Sequence, residues 1–197
     1  LHDFLRSRRS IRRFKPIPVE AEAVSRLLET ATHAPSAHNR QPWRFAVLSG
    51  PEPKARLSDF LEAEFRRDLT ADGLPDAEVE ARLLRSRNRI LGAPLVVVLC
   101  MDLSDMDVYP DEKRAQAERT MAVQSVAAAG LLLQLAAHAE GLGSVWVCSP
   151  LFSPETVRAA LSLPATWEPQ ALFFIGYPDG QPKTKELKPL EAVVRFF

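Results

Sequence analysis

Apolar positions recur along this chain with two periods, and the switches between them mark its elements. Val24, Leu27, Leu28 and Ala31 share one helical face between Pro18-Glu20 and Pro35, so a helix is expected there. Phe45 to Leu48 reads as a short strand closed by Gly50-Pro51. Two helical patterns follow, about Lys54 to Leu69 and Asp76 to Leu91, with Asp72-Gly73 and Pro75 between them. Leu95-Val96-Val97-Val98-Leu99 is a continuous apolar run after Ala93-Pro94, which predicts a strand buried on both faces. From about Arg114 to Glu140 the pattern is helical, alanine-rich and apolar nearly all round in its middle. Such a helix would be roughly 40 Å long. It needs burial on more than one side, so it is expected near a subunit interface.

Gly141 and Gly143 precede a predicted strand, Ser144 to Cys148; Pro154 opens a short helix through Leu161, and Ala171 to Ile175 is a last core strand before Gly176-Tyr177-Pro178. The tail carries Pro182 and Pro189 and ends in an apolar run, Ala192 to Phe197. That arm is too short to fold alone and too apolar to stay in water, so it is expected to lie on a sheet, including that of another subunit. Helices alternate irregularly with four or five strands. The expected class is α+β, an α/β sandwich with a mixed sheet flanked by helices and an extended C-terminal arm, in a single domain over residues 1–197.

With 197 residues, 46% hydrophobic and 25% charged, the chain can bury a core of ordinary size. The net charge of zero supplies no global field toward nucleic acid or an anionic membrane. The apolar stretch Met121 to Ala139 is broken by Gln124, Ser125, Gln134 and His138, which reads as a buried helix and not a membrane span. Two separated cysteines, Cys100 and Cys148, make neither a disulfide scaffold nor a zinc site, and no apolar run of signal type opens the chain, so a cytoplasmic setting is expected. No clustered metal ligands, Ser/His/Asp arrangement or Gly-x-Gly-x-x-Gly fingerprint is evident.

Two polar segments flank the first amphipathic helix. Arg8-Arg9-Ser10-Ile11-Arg12-Arg13-Phe14 gathers guanidinium donors around a serine, which suits a phosphate; a solvated basic turn and a nucleic-acid arm are the other readings. Pro35-Ser36-Ala37-His38-Asn39-Arg40-Gln41-Pro42-Trp43 offers hydroxyl and amide groups suited to the polar edge of a heterocycle, or to forming a turn. His38 has no second acid–base group at recognisable spacing, and the bland reading is preferred for it.

Together these segments resemble the nitroreductase family of FMN-dependent oxidoreductases. The resemblance implies that Arg8, Arg9, Ser10 and Arg12 hold the FMN phosphate and ribityl chain, while Arg13 has no clear family role. It implies that Pro35, Ser36, Asn39 and Gln41 approach the flavin from the partner subunit, hence a homodimer. Gly141-Leu142-Gly143-Ser144-Val145-Trp146-Val147-Cys148-Ser149-Pro150 resembles the strand beneath the flavin, which puts Val147, Cys148 and Ser149 at the isoalloxazine. Lys183 and Lys185 fall near the place of the family's basic pair that closes over the phosphate, although Leu187 stands where an Arg is common.

Finer motifs narrow the resemblance to the C-terminal FMN-binding domain of the coenzyme F-420: γ-glutamyl ligase: Asp68-Leu69 with Asp72-Gly73, Arg89 to Pro94, Tyr109-Pro110-Asp111, Ala117 to Met121, and Leu163-Pro164 with Trp167-Glu168-Pro169. It implies reduction of a dehydro precursor of the deazaflavin cofactor, with the Lys54 to Leu91 helices and the Asp102 to Asp111 loop at the substrate entrance. The alternatives are an NAD(P)H-dependent nitro- or quinone reductase, and a non-enzymatic flavin- or deazaflavin-binding protein. No basic residue of the entrance segments stands out as a reader of a nicotinamide phosphate.

Overall fold

A computed structural model describes residues 1–180, 182 and 184–197. Its frame is β2 (Leu95–Asp102), all eight residues of which are buried. β2 lies between β1 (Trp43–Leu48) and β4 (Trp167–Gly176), and β3 (Gly143–Val147) pairs with the far side of β4, giving the order β1-β2-β4-β3. Alternate residues of the central strands serve opposite layers. Val97, Leu99, Met101, Phe173 and Ile175 meet α2 (Ala21–Thr32) and α5 (Glu112–Ala139) on one face. Val96, Val98, Leu172 and Phe174 share the other with Leu57, Ile90 and Val157, which come from α3 (Pro51–Ala71), α4 (Asp76–Gly92) and α6 (Pro154–Leu161).

All pairings among the four strands are antiparallel. The expected parallel component is confined to a single isolated bridge, Ser10 to Ser144. The patterned elements lie where expected, while α1 (His2–Ser7) carries no buried residue and therefore no periodic signal.

α5 is long and apolar enough to cross a membrane, yet it is a core helix: Ala122, Val126, Ala129, Leu133 and Ala137 are buried against the sheet and α2. Asp111 caps its start by accepting from the Arg114 N–H at 3.0 Å, and Arg114 lies over the Tyr109 ring at 5.0 Å. Tyr109-Pro110-Asp111 thus has a structural task of its own. At the other end Gly141 adopts φ +73°, which lets the Leu142 N–H reach the Ala137 carbonyl at 2.8 Å and turn the chain into β3.

Asp102, at the end of β2, is 6% exposed. Burial opposes its ionisation, but the Ser104 hydroxyl and N–H at 2.6 and 3.0 Å, with Arg44 at 3.4 Å and Thr166 at 3.3 Å, outweigh that and hold its carboxyl below the ordinary range. Because the folded value is depressed, this contribution is complete above the unfolded carboxyl pKa of about 3.9 and is lost as pH falls through the folded value. Asp102→Asn is expected to cost about 1.5–3 kcal/mol at neutral pH. It should also flatten the loss of stability below about pH 4 in urea melts.

Candidate functional site

The arginine-rich segment is an extended strap laid along the free edge of β3. The Ile11 N–H donates to the Ser144 carbonyl at 3.0 Å, the Lys15 N–H to Tyr177 at 2.9 Å, and the Asp179 N–H back to the Arg13 carbonyl at 3.0 Å. This approach requires glycine at 143, because a Cβ there would lie 2.6 Å from the Ile11 Cβ. Upstream, α1 is pinned to the end of α5, with Phe4 stacked on His138 at 4.9 Å and the Ser7 hydroxyl 2.8 Å from its Nε2.

Arg8 is half-buried, and its Nη1 is fully buried with no hydrogen-bond partner among the described residues. Arg9 turns its Nη1 toward the carbonyls of Arg6 and Arg8, at 2.5 and 3.0 Å. Arg8, Arg9, Gly143 and Ser144 line a cleft of about 350 Å³, and Ser10, Arg12 and Arg13 line a smaller one beside it. Arg12 also lines a third depression with Val145, Val147 and Phe174, where α4 contributes Arg89. Arg89, Val147 and Phe174 continue into an open cleft of about 430 Å³ between α4 and the sheet, which Ser149 reaches and to which α4 adds Arg82, Arg85 and Ser86. Neighbouring concavities that share lining residues therefore form a row from Arg8 to Ser149. Cys148 is exposed at the start of the turn Ser149–Leu151 and does not line the cleft. Lys185 is exposed, and Lys183 lies outside the described residues.

The α4 arginines are functional candidates that the reading of the entrance segments passed over. Their spacing, 82, 85 and 89, repeats at one helical face and is the signal available in the sequence.

The second polar segment lies elsewhere. Ala37–Asn39 forms a single 3₁₀ turn whose Ala37 N–H donates to Ser125 of α5 at 3.1 Å. The Ser36 hydroxyl accepts from the Gln41 N–H at 3.1 Å, and the Arg44 guanidinium donates to the Gln41 carbonyl at 3.0 Å. These bonds hold His38, Asn39 and Gln41 at φ +50°, +54° and +50°, a left-handed conformation that costs about 1–2 kcal/mol for most residues. Pro35, His38, Asn39 and Gln41 are exposed. His38 comes beside Asp107 and the buried Glu118, their ligating atoms within 4.8 Å of one another, and Glu118 accepts the Asp107 N–H at 3.2 Å. Ser125 and His138, which mark the two segments on α5, are thirteen residues apart, or about 20 Å along the helix. Within one chain the two segments do not meet.

A sequence profile of the Nitroreductase family matches residues 5–177, which takes in the strap, the strained loop and the whole sheet. The chain belongs to the nitroreductase family. It is 32% identical over 192 residues to a Bacillus subtilis protein named as an NAD(P)H nitroreductase, YfhC, covering 96% of this chain and 90% of that one. It is 36% identical over 192 residues to the 5,6-dimethylbenzimidazole synthase of Rhodospirillum rubrum, covering 93% and 84%. Among solved structures, a Desulfovibrio desulfuricans protein described as a nitroreductase in complex with FMN superposes with a TM-score of 0.75 at 28% identity, covering 98% of this chain and 94% of that one.

The donor set of this nitroreductase-family chain fits such a group on its own chemistry. A guanidinium nitrogen buried without an acceptor, as Arg8 Nη1 is, calls for an anion in the cleft beside it, and the strap supplies Ser10 and Arg12 next along the same path.

Arg12→Ala is expected to weaken FMN retention by about ten- to a hundredfold, while Arg13→Ala has a much smaller effect; equilibrium dialysis with FMN measures both. Gly143→Ala should displace Ile11 and lower flavin affinity more than it lowers the melting temperature, since the clash falls on the strap and not on the central strands.

Proposed function

We propose that this nitroreductase-family oxidoreductase works as a homodimer with FMN along the path from Arg8 to Ser149. The observation that carries this is the buried Arg8 Nη1, without a hydrogen-bond partner among the described residues, in the first of a row of neighbouring clefts, the last of which is lined by Val147 and Ser149. When bound, FMN supplies hydride chemistry, taken from NAD(P)H and given to an organic acceptor. Arg8, Ser10 and Arg12 hold the phosphate and the ribityl chain, and tail residue Lys185 closes over them. The β3 end orients the ring, Arg89 places positive charge beside it to favour the reduced form, and Val147 keeps water from one face.

The partner's strained loop, Pro35 to Gln41, approaches the flavin from across the dimer interface and leaves one face of the ring open to the acceptor. Two features support the dimer: an exposed apolar stripe on α5 through Val123 and Leu131, and the exposed Leu190, Val193 and Phe196 of the arm. The free thiols Cys100 and Cys148 support a reducing, cytoplasmic setting.

For the acceptor we favour the dehydro precursor of coenzyme F-420, because Arg89 and Ile90, which open one of the segments carrying that finer resemblance, line the cleft of about 430 Å³. A second reading, an NAD(P)H-dependent nitro- or quinone reductase, is favoured by the name of the Bacillus subtilis relative.

The purified protein should be yellow, release FMN and not FAD on denaturation, and sediment as a dimer at low micromolar concentration. Colourless protein that takes up no added FMN would overturn the flavin assignment, and a flavin-bound monomer the dimer. In stopped flow, the reduced enzyme should be reoxidised fastest by the dehydro precursor. Equal or faster reoxidation by a nitroaromatic or quinone, with efficient reduction by NAD(P)H, would establish the second reading.

A further inference from the structure

The cleft of about 430 Å³ has a divided surface. Its floor and one wall are apolar, from Phe65, Leu172 and Phe174, while α4 supplies Arg82, Arg85 and Arg89 and no carboxylate lines it. The chain as a whole is neutral, so this is a local excess of positive charge. Other α4 side chains are neutralised toward α3: Arg87 bonds Asp59 at 2.6 Å, and Glu80 takes Arg66. Arg82 has only Glu78, one turn back on the same helix at 2.5 Å, and both are solvent-accessible, so that pair is weak and readily exchanged. Arg85 and Arg89 have no carboxylate within ion-pair distance among the described residues.

Position along α4 separates the three. Arg89 is shared with the depression that contains Arg12, so it belongs to the flavin end. Arg85 and Arg82 lie about one and two turns further away, roughly 6 and 10 Å along the axis. A guanidinium offers a planar fork that carboxylates and phosphates match in two bonds, and beside an apolar floor it is less screened than in open water.

We infer that this cleft takes an acceptor with a conjugated ring and at least one anionic substituent, carboxylate or phosphate, the ring lying on the apolar floor and the anion held by Arg82 and Arg85. This rests on the FMN site proposed above and adds the acceptor's class. The same chemistry could be offered by the 2′-phosphate of NADPH, and the two sources separate by half-reaction.

The test uses oxidised holoenzyme and a charge series of nitroaromatics: nitrobenzene, 4-nitrobenzoate and 5-nitroisophthalate, neutral, singly and doubly negative. Calorimetric affinity and kcat/KM should each rise by about tenfold per carboxylate in the wild type. In Arg82→Ala/Arg85→Ala the series should flatten, with FMN content and melting temperature unchanged, and in Arg85→Glu it should reverse. Arg87→Ala, directed at Asp59, should keep it. An unchanged series in the double variant would overturn the proposal. So would loss of FMN, which assigns the arginines to the flavin, or a selective rise in KM for NADPH over NADH with the acceptor series intact, which assigns them to the donor. Protein without flavin defeats the reading of the preceding section, and the calorimetric series then still decides this one.

Discussion

The contact on which the site depends is the close approach of Ile11 to Gly143. β3 is an edge strand, and an uncovered edge exposes unpaired backbone groups. The strap covers it, but only because residue 143 lacks a Cβ that would stand 2.6 Å from that of Ile11. That one allowance brings Arg8 and Arg12 alongside the strand whose far end carries Val147 to Ser149, and it leaves a guanidinium nitrogen buried with no acceptor of its own. A buried charged donor without a partner costs stability, so the strap is more favourable with an anion bound than without one.

The opposite wall of the groove is organised by ion pairs. Arg66 with Glu80 and Arg87 with Asp59 join α3 to α4, and each is exposed and individually weak. They matter for what they exclude. By engaging Asp59 of α3 and Glu80 of α4, they leave Arg85 and Arg89 without a carboxylate partner among the described residues. The charge of this wall is what the inferred acceptor, with its acidic substituents, would meet.

The long helix α5 sets the spacing of the molecule. It carries the strap at His138 and the strained loop at Ser125, about 20 Å apart. Because the backbone strain of His38, Asn39 and Gln41 is held by Ser36, Ser125 and Arg44, the loop is fixed in shape before anything binds to it. An exposed, preformed polar loop far from its own groove is an economical way to complete the groove of a second copy.

The amino-acid sequence determined the layers and much of the chemistry. Continuous apolar runs placed β2 and β4, and helical patterns with their proline and glycine boundaries placed the five longer helices, because burial leaves a local imprint. Family resemblance singled out Arg8, Ser10, Arg12 and Val147, and the structure sets them along neighbouring clefts. Tertiary structure decided what has no local imprint. α1 buries nothing and so showed no period, and the antiparallel sense of every strand pair follows from long-range closure and not from composition. Tyr109-Pro110-Asp111 turned out to stack on and cap a helix, a task visible only once Arg114 was in place. Arg82, Arg85 and Arg89 did not stand out in the sequence and gain a role only with the apolar residues of the sheet opposite them, because the meaning of a surface charge is set by what packs across from it.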